Sequence, residues 1–170
     1  MGAGKSSVAR ELSRLTRRRW VDTDRLVIRQ AGGRPITEIF ATDGEETFRR
    51  METAALTSLD GSRQLVVATG GGIVIRPENH PLLRTLGCVV WLTADEDVLF
   101  ERVSRNDRRP LLQTADPRAT LGALLARRRP FYEACAHVTV DTSAGSHAQI
   151  AERVLGLVRA FFTARDPVQA

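Results

Sequence analysis

The sequence predicts an α/β domain in which helices cover both faces of a central parallel sheet. Two observations predict it. Short apolar runs alternate with longer segments of helical period, and each run is continuously apolar rather than alternating, the pattern of strands buried on both faces. A third observation orients the layers: glycines cluster where the first helix begins and where a later strand ends.

In chain order, Gly4 to Leu15 places Val8, Leu12 and Leu15 on one helical face, and Arg17 to Arg19 close that helix at the negative end of its dipole. Trp20 to Asp22 reads as a short strand ending in Asp22-Thr23-Asp24, followed by a helix from Arg25 to Ala31 that Gly32-Gly33 stops. Ile36 to Leu59 is helical, interrupted near Asp43-Gly44, with Glu45, Arg49 and Glu52 spaced to share a face. Gln64 to Thr69 is a strand running into Gly70-Gly71-Gly72. Pro77 to Leu86 is a helix with proline early and Gly87 just past its end. Cys88 to Leu92 is a third strand and Asp95 to Val103 a helix, after which Ser104 to Pro117 is polar, arginine-rich and loop-like. Arg118 to Ala136 reads as a helix broken near Pro130, Val138 to Val140 as a strand, and Ser146 to Thr163 as a closing amphipathic helix.

With 170 residues, 42% of them hydrophobic, the expectation is one domain spanning 1–170 around one core. No run approaches the ~18 to 20 apolar residues of a membrane span, and no basic segment leads into an apolar stretch at the N-terminus, so a cytoplasmic protein without a membrane partner is expected. Cys88 and Cys135 have no partner at metal-ligand spacing and read as free thiols. The net charge of +5 admits nucleic acid or small anions. Aromatic residues, at 5%, are never interleaved with the arginines, which argues against a stacking platform for single strands and fits small anions better. Arg17-Arg18-Arg19 reads as a solvated helix end.

Of 25 lysines and arginines, Lys5 is the only lysine. A compact ammonium can follow a phosphoryl group between oxygens, whereas a guanidinium is wide and planar. Its setting matches that use. Gly2-Ala3-Gly4-Lys5-Ser6-Ser7 at the head of a helix is the latter part of a phosphate-binding loop, whose backbone N–H groups wrap the phosphates of ATP. Lys5 then neutralises the β and γ phosphates, and the Ser6 hydroxyl meets Mg²⁺. Asp22 and Asp24 emerge at a strand's C-terminal edge. There Asp22 would hold Mg²⁺ through water, and Asp24 would orient or deprotonate an attacking hydroxyl, although Asp-Thr-Asp is also an ordinary helix cap. The complete loop motif needs a further glycine five residues before Gly4 and a strand to deliver it. We therefore expect the natural product to begin about ten residues before Met1, with the first strand missing from this chain.

The order of Gly2 to Ser7, Asp22-Thr23-Asp24, Ile39-Phe40 with Gly44-Glu45, Phe48-Arg49, Glu52, Gly70-Gly71-Gly72, Arg109-Pro110-Leu111-Leu112, and Arg128 with Pro130 and Tyr132 resembles the shikimate kinases from Met1 to about Thr142. The resemblance implies a P-loop kinase of three layers that phosphorylates the 3-hydroxyl of shikimate from ATP with Mg²⁺, a step of aromatic amino-acid biosynthesis, acting as a monomer. It also implies that helices at about 24–59 form the acceptor site, with Arg49 and Arg128 on the shikimate carboxylate, Asp24 and the Gly71 backbone on its ring hydroxyls, and Glu52 orienting Arg49. A lid at about 104–117 would bring catalytic Arg109 over ATP, and Arg102 would pack on the adenine, while Arg105 and Arg108 stay solvated. Taken alone, the spacing of Arg49 and Glu52 describes a surface ion pair, and Gly70 to Gly72 a strand-to-helix turn, although three glycines exceed what a turn requires. Asp141 to Gly145 lacks the basic residue many relatives place near the adenine. Two other readings stay open: a non-catalytic ligand-sensing domain of a regulator, for which no helix-turn-helix is visible, and a gluconate kinase, which differs in the acceptor site.

Overall fold

The computed structural model describes residues 2–61, 64–104 and 114–165. Among them, eight helices and four strands follow in order: α1 (Lys5–Thr16), β1 (Arg19–Asp22), α2 (Thr23–Gln30), α3 (Ile36–Thr42), α4 (Gly44–Thr57), β2 (Leu65–Ala68), α5 (Asn79–Leu86), β3 (Val90–Thr93), α6 (Glu96–Ser104), α7 (Pro117–Cys135), β4 (Val138–Asp141) and α8 (His147–Arg165). A 3-10 turn, Ile73–Ile75, follows the glycines after β2.

Helical crossovers separate the strands, so each pairing is parallel. β1 lies beside β2 with Arg19 opposite Leu65 and Asp22 opposite Ala68, and β3 lies beside β4 with Val90 opposite Val138 and Thr93 opposite Asp141. The expected sheet is thus parallel throughout, but it is divided into two pairs.

Four apolar clusters lock the helices onto these pairs. Val8 of α1 packs with Val140 and with Ile150, Ala151 and Val154 of α8. Val27, Ile39, Phe48 and Ala55 bind α2, α3 and α4 into one unit, the support for Arg49 and Glu52. Leu56, Ile73, Val74, Leu83 and Cys135 join α4, the 3-10 turn, α5 and α7, and Ala3 is anchored on Leu99, Val103 and Leu121. Burial of each such side chain contributes about 1.5–3 kcal/mol, so these clusters set the frame on which the polar site is held.

The expected elements are all present, with three corrections. Helix α7 runs through Pro130 without a break. The proline forfeits one backbone bond, but buried Leu121 and Arg128 before it and Cys135 after it hold both halves in line by packing. The helix expected from Pro77 begins at Asn79, whose buried amide donates to the Ile73 carbonyl at 2.8 Å and so ties it to the 3-10 turn. The strand expected from Cys88 begins at Val90, because the Val89 N–H donates to His137 Nδ1 at 3.0 Å and leaves the ladder. The interruption at Asp43-Gly44 is a true helix boundary: Gly44 has φ +79°, and Arg34 holds the Asp43 carboxylate at 2.7 Å. Cys88 and Cys135 are free thiols. Among the described residues no helix is long and apolar enough to cross a membrane. The loop expected at Ser104 to Pro117 is bounded by α6 and by Asp116, which caps α7 by accepting from the Ala119 N–H at 2.9 Å. Arg105, Arg108 and Arg109 lie outside the described residues.

Candidate active site

The phosphate loop is shaped by its glycines. Gly4, with φ +76°, stands immediately before α1, and no side chain caps the first turn and no acid lies in it. The N–H groups of that turn and the positive end of the dipole are therefore available to an anion. Gly2 also has φ +76°, and a Cβ there would come 3.0 Å from the Leu99 carbonyl oxygen. A Cβ on Gly4 would meet the His147 ring at 3.3 Å. Buried Ala3 pins the loop between them, leaving Lys5 and Ser7 half-buried and Ser6 exposed at the helix head.

β1 delivers the two carboxylates to the same place. Asp22 Oδ1 accepts from the N–H groups of Asp24 at 3.0 Å and Arg25 at 3.4 Å, so Asp22 is the cap of α2. Its other oxygen accepts from the Ser6 hydroxyl at 3.3 Å, which joins the cap to the phosphate loop. The helix-cap reading of Asp-Thr-Asp thus holds, and the same carboxylate also touches the loop before α1. Thr23, fully buried, accepts the Gly70 N–H at 3.1 Å and ties the end of β1 to the end of β2. Asp24 Oδ1 is buried without a hydrogen-bond partner. Burial, and then the charge of Asp22, raise its pKa above the ordinary carboxylate value, against the pull of Lys5 and Arg49.

The second set of charges stands on α4 and α7. Arg49 donates from Nη1 to Glu52 at 2.5 Å, and from Nε and Nη2 to Glu45 at 3.2 and 2.9 Å. Its side chain is 8% exposed and that of Glu52 1%, so this is a buried pair and not the surface pair that spacing alone also allows. Burial lowers the pKa of Arg49, but its bonds and charge contacts with Glu52 and Glu45 outweigh that and leave it raised. Glu52 is raised by burial, against the hydrogen bond and charge of Arg49. Arg128 is buried, with Nε unpaired, and burial lowers its pKa.

The three glycines after β2 are where these groups meet, each for a different neighbour. A Cβ on Gly70 would stand 2.6 Å from Asp24 Oδ1 and 2.7 Å from Glu52 Oε1, and one on Gly72 would collide with the Arg49 guanidinium. At Gly71 the same position lies 3.3 Å from the Tyr132 hydroxyl, 3.8 Å from Arg128 Nη1 and 3.9 Å from Lys5 Nζ. Lys5 of the phosphate loop and Arg128 of the second set thus reach one point on the backbone.

Tyr132 is the working residue to which the sequence reading assigned no role. Its hydroxyl donates to the Gly71 carbonyl at 2.5 Å, and its ring stacks on Trp91 at 5.4 Å. Its helical spacing of four from Arg128 is the signal that marks it. His147 beside Gly4 carried no such signal, since α8 and the phosphate loop are far apart in sequence. Arg102 is fixed, donating to the Thr142 carbonyl at 2.7 Å and its hydroxyl at 3.3 Å, next to the turn in which Asp141 accepts from the Ser143 N–H and hydroxyl. Of the expected site residues, Gly2 to Ser7, Asp22, Asp24, Arg49, Glu52, Gly71 and Arg128 converge, Arg102 lies on the β4 side, and Arg109 is outside the described residues.

This arrangement brings Lys5, at the head of α1, close to a carboxylate, two arginines and three glycines. The family model described as shikimate kinase matches residues 1–159. A shikimate kinase of Bordetella pertussis is 42% identical over 161 residues, covering 95% of this chain and 76% of that protein. One from Synechococcus sp. is 44% identical over 169 residues, covering 98% and 88%. The structure of shikimate kinase from Acinetobacter baumannii in complex with shikimate superposes with a TM-score of 0.87 at 38% identity, over 94% of this chain and 89% of that one. The structure from Bacteroides thetaiotaomicron gives 0.81 at 25%, over 94% of each. The chain belongs to the shikimate kinase family.

Proposed function

We propose that this chain transfers the γ-phosphoryl group of ATP to the 3-hydroxyl of shikimate, giving shikimate 3-phosphate and ADP. One observation carries the chemical class of the acceptor, and family membership points within that class to shikimate. Asp24 Oδ1 and Arg128 Nε are both buried and unpaired, and their side chains lie against neighbouring glycines, Gly70 and Gly71. Buried groups of this kind take partners. A hydroxylated carboxylic acid supplies both, a hydroxyl for Asp24 and a carboxylate for Arg128.

On this reading the first turn of α1 and Lys5 bind the phosphates and offset the charge that grows on them during transfer. Asp24 takes the proton of the attacking hydroxyl, and its raised pKa makes it a stronger base than an ordinary carboxylate. Arg128 and Arg49 hold the acceptor carboxylate by charge-assisted hydrogen bonds, with Glu52 and Glu45 fixing the Arg49 plane. Arg109, by family resemblance, adds positive charge over the phosphates, and Arg102 faces the adenine. Magnesium fits the residues present: the Ser6 hydroxyl and Asp22 carboxylate are paired hard-oxygen donors. Among the described residues no group of three or more His, Cys, Asp or Glu forms a cage, which suits an ion that keeps waters and phosphate ligands. When bound, magnesium supplies positive charge at the β and γ phosphates. The same reading makes residues 1–170 one catalytic domain acting as a cytoplasmic monomer, with no nucleic-acid or membrane partner.

The test is coupled ADP release with shikimate, gluconate or no acceptor. Only shikimate is expected to support turnover. In Arg128→Ala the KM for shikimate rises at least about tenfold and that for ATP stays unchanged, since a charge-assisted bond contributes about 1.5–3 kcal/mol. Equal turnover with gluconate, or equal weakening of both substrates in the variant, overturns the reading.

A further inference from the structure

Tyr132 is gripped from three sides. Its hydroxyl donates to the Gly71 carbonyl at 2.5 Å, and its ring lies on Trp91, with centroids 5.4 Å apart and planes 14° from parallel. The third neighbour is Arg128, one helical turn before it on α7. A Cβ on Gly71 would stand 3.3 Å from the Tyr132 hydroxyl and 3.8 Å from Arg128 Nη1, so the phenol and the guanidinium crowd one stretch of backbone. Burial raises the pKa of Tyr132, and the charge and hydrogen bond of Arg128 oppose that rise.

The proton arithmetic fixes the direction of each bond. A guanidinium only donates, so the phenol oxygen accepts from Arg128, and its single proton is left for the Gly71 carbonyl. One oxygen therefore serves both groups, and where it stands sets where both are held. Two bonds at the tip of a ring do not fix the ring itself, because the last torsion of a tyrosine is broad. The flat face of Trp91 does. A near-parallel pair at this separation is an offset stack, the arrangement that the charge distribution of aromatic rings favours.

Trp91 comes to that place by strand alternation. Side chains along β3 point to opposite faces in turn. Val90 and Leu92 pack with Val8 and the apolar residues of α8, and Trp91 turns the other way, toward α7. It is not among the groups nearest Gly70, Gly71 or Gly72, and it meets them through Tyr132.

We propose that Trp91 is a positioning residue for the acceptor: its indole holds the Tyr132 ring where one phenol oxygen serves the Gly71 carbonyl and Arg128 together, and so sets the guanidinium that receives the acceptor carboxylate. The assignment rests on the kinase reading above. Trp91 touches neither substrate; its effect passes through the Tyr132 oxygen, and a packing residue of the core has no such dependence.

The test is a double-mutant cycle of the unaltered chain, Trp91→Leu, Tyr132→Phe and the double variant, read by coupled ADP release. Trp91→Leu is expected to raise the KM for shikimate about 3- to 10-fold, with that for ATP unchanged. Trp91→Tyr keeps a flat ring for the stack and is expected to restore the KM to within about twofold. In the Tyr132→Phe background Trp91→Leu is expected to add less than about twofold, because the oxygen it acts through is gone. Trp20→Phe leaves Trp91 as the only indole and in place, which covers a Trp91→Leu chain that does not fold. In that variant shikimate added without ATP is expected to shift the emission of Trp91, and gluconate is not. Additive effects on KM, equal weakening of ATP and shikimate, no rescue by Trp91→Tyr, or emission that ignores shikimate would each overturn the proposal. Urea unfolding of the same four chains without either substrate separates the two possible failures. Additive losses of stability there overturn the link between Trp91 and the Tyr132 hydroxyl whatever the enzyme turns over. Non-additive losses in a chain that releases no ADP with shikimate overturn the assignment through the kinase reading alone.

Discussion

Gly72→Ala is a substitution of one carbon that tests how the proposed acceptor site is built. Gly72 has φ −96° and ψ −7°, a conformation open to any residue, so the backbone resists nothing. The added Cβ would stand 2.6 Å from Arg49 Cζ and 2.7 Å from Nη2, and the guanidinium must leave. A flexible side chain usually moves cheaply. This one cannot, because its donors bind Glu52 at 2.5 Å and Glu45 at 2.9 Å, and Glu52 is 1% exposed. Separating a buried pair and leaving one charge behind costs about 3–5 kcal/mol. For a domain of this length that lowers Tm by roughly 6–20 °C. Displacing Arg49 also removes a charge-assisted bond of about 1.5–3 kcal/mol from the acceptor, a rise of about 10- to 150-fold in the KM for shikimate, with that for ATP unchanged. The control is Gly156→Ala on the exposed face of α8, where an added Cβ meets nothing within 4 Å and helix propensity predicts a gain of about 1 kcal/mol. Differential scanning fluorimetry and initial-rate kinetics read both variants. A Gly72→Ala enzyme with unchanged Tm and unchanged KM for shikimate refutes the claim that Gly72 exists to seat Arg49.

Asp24→Asn separates stability from activity. The folded-state pKa of Asp24 lies above its unfolded value, so the native state binds more protons between the two, and stability falls as pH rises through that window. Above its unfolded pKa this carboxyl is therefore a liability to the fold. The amide is expected to raise Tm at pH 7, with the gain vanishing below the unfolded pKa, while turnover is lost; a Tm that drops at pH 7 contradicts the burial argument. Lys5→Ala is expected to lower kcat at least about 100-fold, comparable to loss of a preorganised donor elsewhere, and near-normal turnover removes Lys5 from the chemistry. Tyr132→Phe leaves the half-buried Gly71 carbonyl without its donor, at about 1–3 kcal/mol, and is expected to lower Tm by roughly 2–12 °C and raise the KM for shikimate; a silent variant shows that Gly71 is held by β2 alone.

What the sequence disclosed followed the range of its signals. Periodicity is local, so every helix and strand was legible to within a few residues, including the boundary at Asp43-Gly44. Pro130 was misread because propensity argues for a break, while the packing that overrides it, at Leu121, Arg128 and Cys135, comes from elements distant in sequence. The charged groups of the site were legible as residue types in order. Their partnership was not. Spacing alone makes Arg49 and Glu52 an ordinary surface pair; what buries it is the packing of α2 and α3 with α4 together with the glycines that follow β2. The same holds for Asp22, where helix cap and phosphate-loop contact are the two oxygens of one carboxylate.

On the proposed reading, the run Gly70-Gly71-Gly72 explains why the acceptor site lies where β2 ends. An arginine from α4, an arginine from α7, a lysine from α1 and an aspartate from α2 cannot approach one another closely unless something neutral and thin stands between them. A backbone without side chains is the thinnest such partition, and each glycine admits a different group: carboxylates at Gly70, Lys5, Arg128 and Tyr132 at Gly71, the Arg49 guanidinium at Gly72. A Cβ at Gly70 or Gly72 would push a buried charge out of its pair, while one at Gly71 would narrow the place where Lys5 and Arg128 come together. The three positions therefore differ in their expected response: alanine at Gly70 or Gly72 acts through stability and acceptor affinity together, and alanine at Gly71 acts on turnover with Tm nearly unchanged, because its nearest neighbour, the Tyr132 hydroxyl at 3.3 Å, has only a few tenths of an ångström to yield.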